Sequence, residues 1–201
     1  LWLINSDGSN ERRVFEANRV RSPSWTPDGQ SVVFERGTGS TECRISPFGC
    51  LSEEALQQVF NGEECLTTSF GTFCISDYSL VTMWSTALTR YNLADGSNRD
   101  LPTDDQATAP QAAPAGSELI FLDPGGFSAA HTEGNDPPWP VVREKAPMGP
   151  VSYSPDGQWL FASRKQHDHW QVWRWLMQGE LAARRESLAP ARAFKASYGS
   201  T

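Results

Sequence analysis

Three runs along the chain are apolar on both faces, without clean alternation. They are Val32-Val33-Phe34, Leu119-Ile120-Phe121-Leu122, and the stretch from Trp170 to Met177. A strand reads this way when both its faces are covered, whereas a strand half open to water alternates with period two. Helical periodicity is absent from all three. The pattern predicts short strands in layers that cover one another on both sides, and it disfavours a two-layer sandwich.

The turns between such runs repeat. Pro23–Phe34 reads Pro-Ser-Trp-Thr-Pro-Asp-Gly-Gln-Ser-Val-Val-Phe, and Val151–Ala162 reads Val-Ser-Tyr-Ser-Pro-Asp-Gly-Gln-Trp-Leu-Phe-Ala. Proline presets φ for the first central turn position, the Asp side chain closes the turn, and Gly supplies a positive φ. A worn copy lies at Pro110–Phe121, with Pro114-Ala115-Gly116 in place of the turn. The turn glycines stand at 29, 116 and 157, so their intervals are 87 and 41. A second element, Asp-Gly-Ser-Asn, occurs at Asp7 and at Asp95. Gly8 precedes Gly29 by 21 residues and Gly96 precedes Gly116 by 20, so the two elements alternate in fixed phase. A period near ~40 built from short strands and Asp-Gly turns is the signature of propeller blades.

These residues resemble the TolB-type (WD40-like) β-propeller repeat. The resemblance is closest over Leu1–Phe34, with Asp-Gly-Ser, Arg12-Arg13-Val14 and then Pro-Ser-Trp-Thr-Pro-Asp-Gly, and it is good over Val151–Leu181. Gly37–Leu80 matches nothing in the repeat. The fold implied is all-β, a propeller or partial propeller of about three to four four-stranded blades. The whole chain, 1–201, would form one propeller-type domain or segment, with 37–80 as a Cys-rich insertion within one blade.

In chain order, Leu1–Asn5 and Arg12–Phe15 are expected as the outer hairpin of a first, incomplete blade. Arg21–Trp25 and Ser31–Arg36 form the next inner pair. Within the insertion, Ser52 is a plausible N-cap for a short helix, with Glu53 and Glu54 in its first turn and Asn61-Gly62 ending it. Trp84–Leu93 and Arg99–Pro102 complete that blade. Pro110–Ala113 and Glu118–Leu122 give another inner pair. In the Gly- and Pro-rich stretch Gly125–Pro150 only Trp139–Arg143 reads as a strand, confined to an edge by its prolines. Val151–Ser154, Trp159–Ser163, Trp170–Met177 and Glu180–Glu186 make the last blade. Ala191–Thr201 would begin another inner strand. Trp25 and Tyr153, at one repeat position, are expected in the core or on a channel wall.

With 14 Pro, 16 Gly and 38% hydrophobic residues, the composition suits a turn-rich β protein. No apolar run approaches the ~18 residues a membrane helix needs. The chain opens on Leu1-Trp2-Leu3-Ile4 without Met or a leader, which reads as a processed product or a piece of something longer. A net charge of −7 argues against a nucleic-acid partner. The charge is uneven: 37–80 carries one Arg against six carboxylates, whereas 141–201 carries nine basic residues against five acidic. Opposite-signed surfaces of this kind can guide copies, or a partner, together.

Four cysteines fall at 43, 50, 65 and 74. They lack a C-x₂-C pair and a nearby His, which disfavours zinc. Two disulfides fit better and imply an oxidising, extracytoplasmic compartment: periplasm, cell surface or medium. Three connectivities are open, of which Cys43–Cys50 with Cys65–Cys74 closes the shortest loops.

No nucleophile elbow, phosphate-cradling loop or H-E-x-x-H motif is present, so no catalytic residue and no cofactor is assigned. His167-Asp168-His169 is the one compact cluster of metal-ligating types, a weak candidate because alternate residues of an extended chain point apart. Trp139, in a proline-rich stretch, is a candidate contact. The resemblance implies an interaction module that binds a protein or other copies of itself. Its alternatives are the propeller portion of an exported prolyl-oligopeptidase-like hydrolase or, more remotely, a propeller polysaccharide lyase. A full ring of this type holds more blades than the chain supplies. Leu1, Trp2 and the rest of the first strand, and Trp170, Trp173 and Trp175 of the last blade, are therefore expected at contacts with another chain, another copy or a missing segment of the same protein.

Overall fold

The computed structural model describes residues 1–46, 49–69, 71–143, 148–166, 169–177 and 191–194. The chain divides into two compact units, residues 1–37 with 86–201 and residues 38–85.

The repeated turns set the local structure. In the first, the Thr26 carbonyl accepts from the Gly29 N–H at 2.9 Å, and Gly29 takes φ +67°. The Thr26 hydroxyl donates to Asp28 Oδ1 at 2.6 Å and accepts from the Ser31 N–H at 3.0 Å, while the Gln30 N–H donates to the same Asp28 oxygen at 2.9 Å. The copy at Ser154–Trp159 repeats each contact. Ser154 Oγ donates to Asp156 at 2.5 Å, the Gln158 N–H donates to Asp156 at 3.0 Å, and Gly157 has φ +70°. A positive φ costs glycine little and any other residue more.

Three sheets follow, each with a path of four strands. The first holds β3 (Arg21–Trp25), β4 (Ser31–Ser46), β8 (Leu80–Asn92) and β9 (Asn98–Asp100), in that order. The second holds β10 (Thr108–Ala112), β11 (Glu118–Asp123), β12 (Gly126–His131) and β13 (Trp139–Arg143). The third holds β14 (Met148–Tyr153), β15 (Trp159–Gln166), β16 (His169–Leu176) and β17 (Ala191–Phe194). A separate two-stranded ribbon, β1 (Trp2–Leu3) with β2 (Arg12–Arg13), precedes them.

The sheets pack face to face. Between the first and second lie Val33, Leu88, Leu101, Leu119, Phe121 and Ala130, all buried. Between the second and third lie Ile120, Phe127, Ala129, Leu160, Ala162 and Trp175. On β11, Leu119 and Phe121 face one neighbour and Ile120 the other, which is why that run is apolar at every position. Each buried aliphatic or aromatic side chain contributes about 1.5–3 kcal/mol relative to exposure. Polar ties reinforce the first joint. Ser24 Oγ accepts from the Ala112 N–H at 2.9 Å. Glu35, only 2% exposed, accepts from Arg21 Nε at 3.0 Å and from the Ala109 N–H at 3.4 Å. On the outer side of the first sheet, Phe15 covers Phe34 with ring centroids 4.9 Å apart.

Residues 38–85 form their own small core of Leu56, Phe60 and Ile75, flanked by Leu51, Leu66 and Tyr78. Helix α1 (Glu53–Val59) starts at Ser52, whose side chain accepts from the Ala55 N–H, and carries Glu53 and Glu54 in its first turn. It ends where Asn61 and Gly62 take positive φ. Strand β5 (Gly49–Leu51) pairs with the end of β4, and Cys43–Cys50 links the two. Strands β6 (Cys65–Thr68) and β7 (Gly71–Cys74) form a hairpin closed by Cys65–Cys74, a directly opposed pair with Cα atoms 4.0 Å apart.

Three features differ from the expectations. The stretch after Gly125 contains a full strand, β12, with Phe127, Ser128, Ala129 and Ala130 buried between two neighbours. Ala191–Phe194 does not begin a new blade but pairs with β16, Val172 opposite Phe194 and Arg174 opposite Ala191. The strand expected at Glu180–Glu186 lies outside the described residues. Finally, β4 and β8 extend to Ser46 and from Leu80, well past the six- and ten-residue strands expected, and the division between units falls at 37/38 and 85/86.

Candidate interaction surfaces

The third sheet has two chemically distinct faces, set by period two. Register pairs Leu160 with Trp175 and Ala162 with Trp173, and these point toward the second sheet. Trp175 is 1% exposed and meets Phe127. Trp173 is half-buried in the same cluster, with the Arg164 guanidinium 4.6 Å above its ring. Register also pairs Phe161 with Arg174, Ser163 with Val172 and Lys165 with Trp170. Those side chains turn the other way. Trp170 is 55% exposed, and Phe161 and Val172 are exposed beside it. Trp159, on this face, lies under the Arg174 guanidinium at 4.4 Å. The three tryptophans expected at one contact surface therefore separate: Trp170 lies on the outward face, while Trp173 and Trp175 serve packing inside the chain.

Elsewhere in this unit, Trp2 and Ile4 of the ribbon are exposed, and the Leu1 nitrogen donates to the Phe15 carbonyl at 2.6 Å. Trp25, expected in the core or on a channel wall from its repeat position, is 54% exposed and so is not a core residue, while Tyr153 is half-buried. Trp25 borders a pocket of about 540 Å³ with Ile4, Asn5, Arg12 and Leu93. The reason is the strand period: Ser24 takes the inward position, so its neighbour must face out. Sequence reasoning placed this residue by analogy between repeats and overlooked that alternation.

Residues 38–85 carry a third exposed apolar set, with Ile45, Val59, Phe73, Leu80, Met83 and Trp84. The same unit holds six carboxylates against one arginine, and that arginine, Arg44, is already paired with Glu53 at 3.0 Å. This unit therefore exposes both apolar and acidic side chains. No sequence motif pointed to it, because exposure of single apolar residues in a long insertion has no local signature.

The remaining candidates are placed as follows. His169 begins β16 and is exposed, while His167 and Asp168 lie outside the described residues. Among the described residues no three His, Cys, Asp or Glu side chains gather as a metal site would require. Trp139 is half-buried at the start of β13, with its ring 4.9 Å from that of His131. Among the described residues no helix is long and apolar enough to cross a membrane. Two carboxylates sit in charged clusters. Burial works to raise Asp100, but hydrogen bonds from Arg36 and Thr89 outweigh it and hold the carboxyl below its ordinary range. Asp123 behaves alike: burial raises it, and bonds from Ser128, the Gly125 N–H and Arg143 bring it down. Each cluster is internally satisfied and serves to clamp neighbouring strands.

Known proteins share this architecture. TolB from Acinetobacter baumannii superposes over 87% of the chain with a TM-score of 0.55 at 15% identity, and the match spans 34% of that protein. An oligogalacturonate lyase, solved in complex with manganese, superposes over 90% of the chain with a TM-score of 0.50 at 14% identity, spanning 42% of that protein. In sequence, 40 residues are 40% identical to the Tol-Pal system protein TolB of Orientia tsutsugamushi (strain Ikeda), which is 20% of this chain and 9% of that protein. No family model matches the chain. This chain thus spans less than half the length of each of these three proteins. At these identities the likeness concerns architecture alone: the chain has the fold of a TolB-type β-propeller, with three blades of four-strand path among the described residues.

Proposed function

We propose that this chain is a non-catalytic, extracytoplasmic binding or assembly module, and that the outward face of its third blade is a protein-binding surface. One observation carries the reading. The two inner joints between blades are closed by apolar side chains, and the outward face of β15 and β16 repeats that pattern with Phe161, Trp170 and Val172 exposed. Aromatic side chains in such a setting supply large contact area at small entropic cost. Two disulfides fit an oxidising compartment, and the TolB-type fold is compatible with a binding role.

A photo-crosslinking residue placed at position 170 tests this in producing cells, with the exposed polar position 98 as control. Protein adducts at 170 that are absent at 98, and that diminish with Val172→Glu, are the expected result. Equal or absent adducts at the two positions would overturn the reading.

A further inference from the structure

We propose that the Cys65–Cys74 bridge is a site of thiol–disulfide exchange, opened by a cationic or neutral dithiol reductant that attacks Cys65 Sγ, and that its opening loosens the core of residues 38–85. The site is independent of the binding role proposed for the third blade, and all its residues lie in one unit.

The ladder register places the bridge. The Ile75 N–H donates to the Glu64 carbonyl at 2.9 Å, so Glu64 and Ile75 are bonded to one another across the ribbon. Cys65 and Cys74, the next opposed residues, are therefore a non-hydrogen-bonded pair, whose side chains stand closest together. The bridge is the rung at the open end of a hairpin that forms a sheet of two strands among the described residues. Such a ribbon is marginal by itself in water.

Access and leaving group separate the two bridges. Cys65 is exposed and Cys74 half-buried, so a thiol can reach the first and the displaced second can be solvated. Cys43 is 5% exposed within β4 and is shielded from attack. Attack on its exposed partner, Cys50, would expel Cys43 as a thiolate in a buried position, where the charged form is disfavoured and leaves slowly.

Neighbouring charge selects the reductant. Glu63 and Glu64 lead into Cys65 and are exposed. On the other strand, Asp77 accepts from the Cys74 N–H at 2.8 Å, which holds its carboxylate beside the second cysteine. Residues 45–85 contain no Lys, Arg or His to offset these carboxylates. An anionic thiol is repelled here and a cationic one is drawn in.

In the exchange, the reductant's thiolate bonds to Cys65 Sγ, the bond to Cys74 breaks, and its electron pair leaves on Cys74 Sγ, which takes up a proton. The reductant's second thiol then attacks its own sulfur in the mixed disulfide and expels Cys65, which is protonated in turn. Two electrons and two protons pass from the dithiol to the cysteine pair, and the reductant departs as a disulfide. Opening has a mechanical consequence. Leu66 follows Cys65 and Ile75 follows Cys74, and both pack in the cluster with Leu56 and Phe60. Loss of the rung unties the ribbon that holds these two residues against α1.

Graded reduction of the purified full chain, quenched by alkylation and read by peptide mass, tests the site. With cysteamine, a cationic thiol, Cys65 and Cys74 are expected to be alkylated about tenfold faster or more than Cys43 and Cys50. Anionic glutathione is expected to be severalfold slower than cysteamine, once each rate is divided by that on a small uncharged disulfide. This preference is expected to shrink in high salt and in Glu63→Gln with Glu64→Gln. The salt series on the unaltered chain gives the same reading if the variant does not fold. With Cys65 and Cys74 alkylated and Cys43–Cys50 intact, amide exchange in α1 is expected to accelerate by about tenfold or more. Opening of Cys43–Cys50 first, or in step with the other bridge, would overturn the site. A preference absent or indifferent to salt would overturn the selection by charge, and α1 amides that keep their protection would overturn the release.

Discussion

Trp175 on β16 and Phe127 on β12 meet edge to face across two sheets, with ring centroids 5.8 Å apart and planes at 80°. Five residues earlier on the same strand, Trp170 faces away from that joint and is largely exposed. The contrast makes a clean comparison. Trp175→Ala opens a cavity in the core and is expected to cost about 3–5 kcal/mol. The edge-to-face pairing contributes about 0.5–1.5 kcal/mol of that beyond area. Trp170→Ala removes no buried contact and is expected to change stability by no more than about 0.5 kcal/mol in the isolated chain. Urea unfolding followed by tryptophan fluorescence checks both, and comparable losses for the two variants would contradict the assignment of faces.

How far the sequence carries depends on whether a feature is encoded locally. The Pro-Asp-Gly turns were legible because Asp28 and Asp156 close their turns through their own side chains and Gly29 and Gly157 need positive φ. The helix start at Ser52 was legible for the same reason. Strand β12 was hidden, because Ser128, Ala129 and Ala130 have weak strand character and are strand residues only by being squeezed between two sheets. The pairing of Ala191–Phe194 with β16 depends on a contact across a long connection, which no local pattern announces. Period two was enough to separate Trp170 from Trp173 and Trp175, and Ser24 from Trp25. What it could not tell was which side of each strand would be covered. The acidic apolar unit was visible in charge but not in surface chemistry, since which apolar side chains stay exposed depends on tertiary packing.

The turn aspartates make a prediction about acid. Asp28 is held below its ordinary value of 3.8 first by the Thr26 hydroxyl and then by the Gln30 N–H. Asp156 is held down likewise by Ser154 and then the Gln158 N–H, and Asp7 and Asp95 by their Ser9 and Ser97 partners. A carboxyl depressed in the folded state binds its proton more readily when unfolded. Its contribution is therefore fully present above the unfolded value, and it is lost as pH falls from there through the lower folded value. The turns are expected to hold through mild acid and to loosen only below about pH 4. Carboxyl carbon shifts measured by NMR across that range are expected to give depressed midpoints for all four aspartates. Thr26→Val should move the Asp28 midpoint upward and leave Asp156 in place; a common shift of both would deny the local cause.

The two disulfides lead to a prediction about where stability resides. Among the described residues of 38–85, Leu56, Phe60 and Ile75 form the central buried cluster, a small core for a 48-residue unit. A core that size offsets little of the backbone entropy, roughly 1–2 kcal/mol for each residue fixed. Short domains of this kind lean on cross-links. Cys43–Cys50 closes a separation of seven residues and Cys65–Cys74 one of nine. On the chain-entropy model each contributes about 2–3 kcal/mol, mainly by restricting the unfolded state. The three-blade unit contains no cysteine and depends on neither bridge. Reduction is therefore expected to open residues 38–85 selectively. Amide exchange in α1 and in the β6–β7 hairpin should accelerate by one to two orders of magnitude or more, while the amides of β11 and β15 keep their protection. Non-reducing mass spectrometry of the untreated protein should find no free thiol. If reduction instead released β11 and β15 together with α1, the two units would share one cooperative transition, and the bridges would be stabilising the blades as well as the insertion.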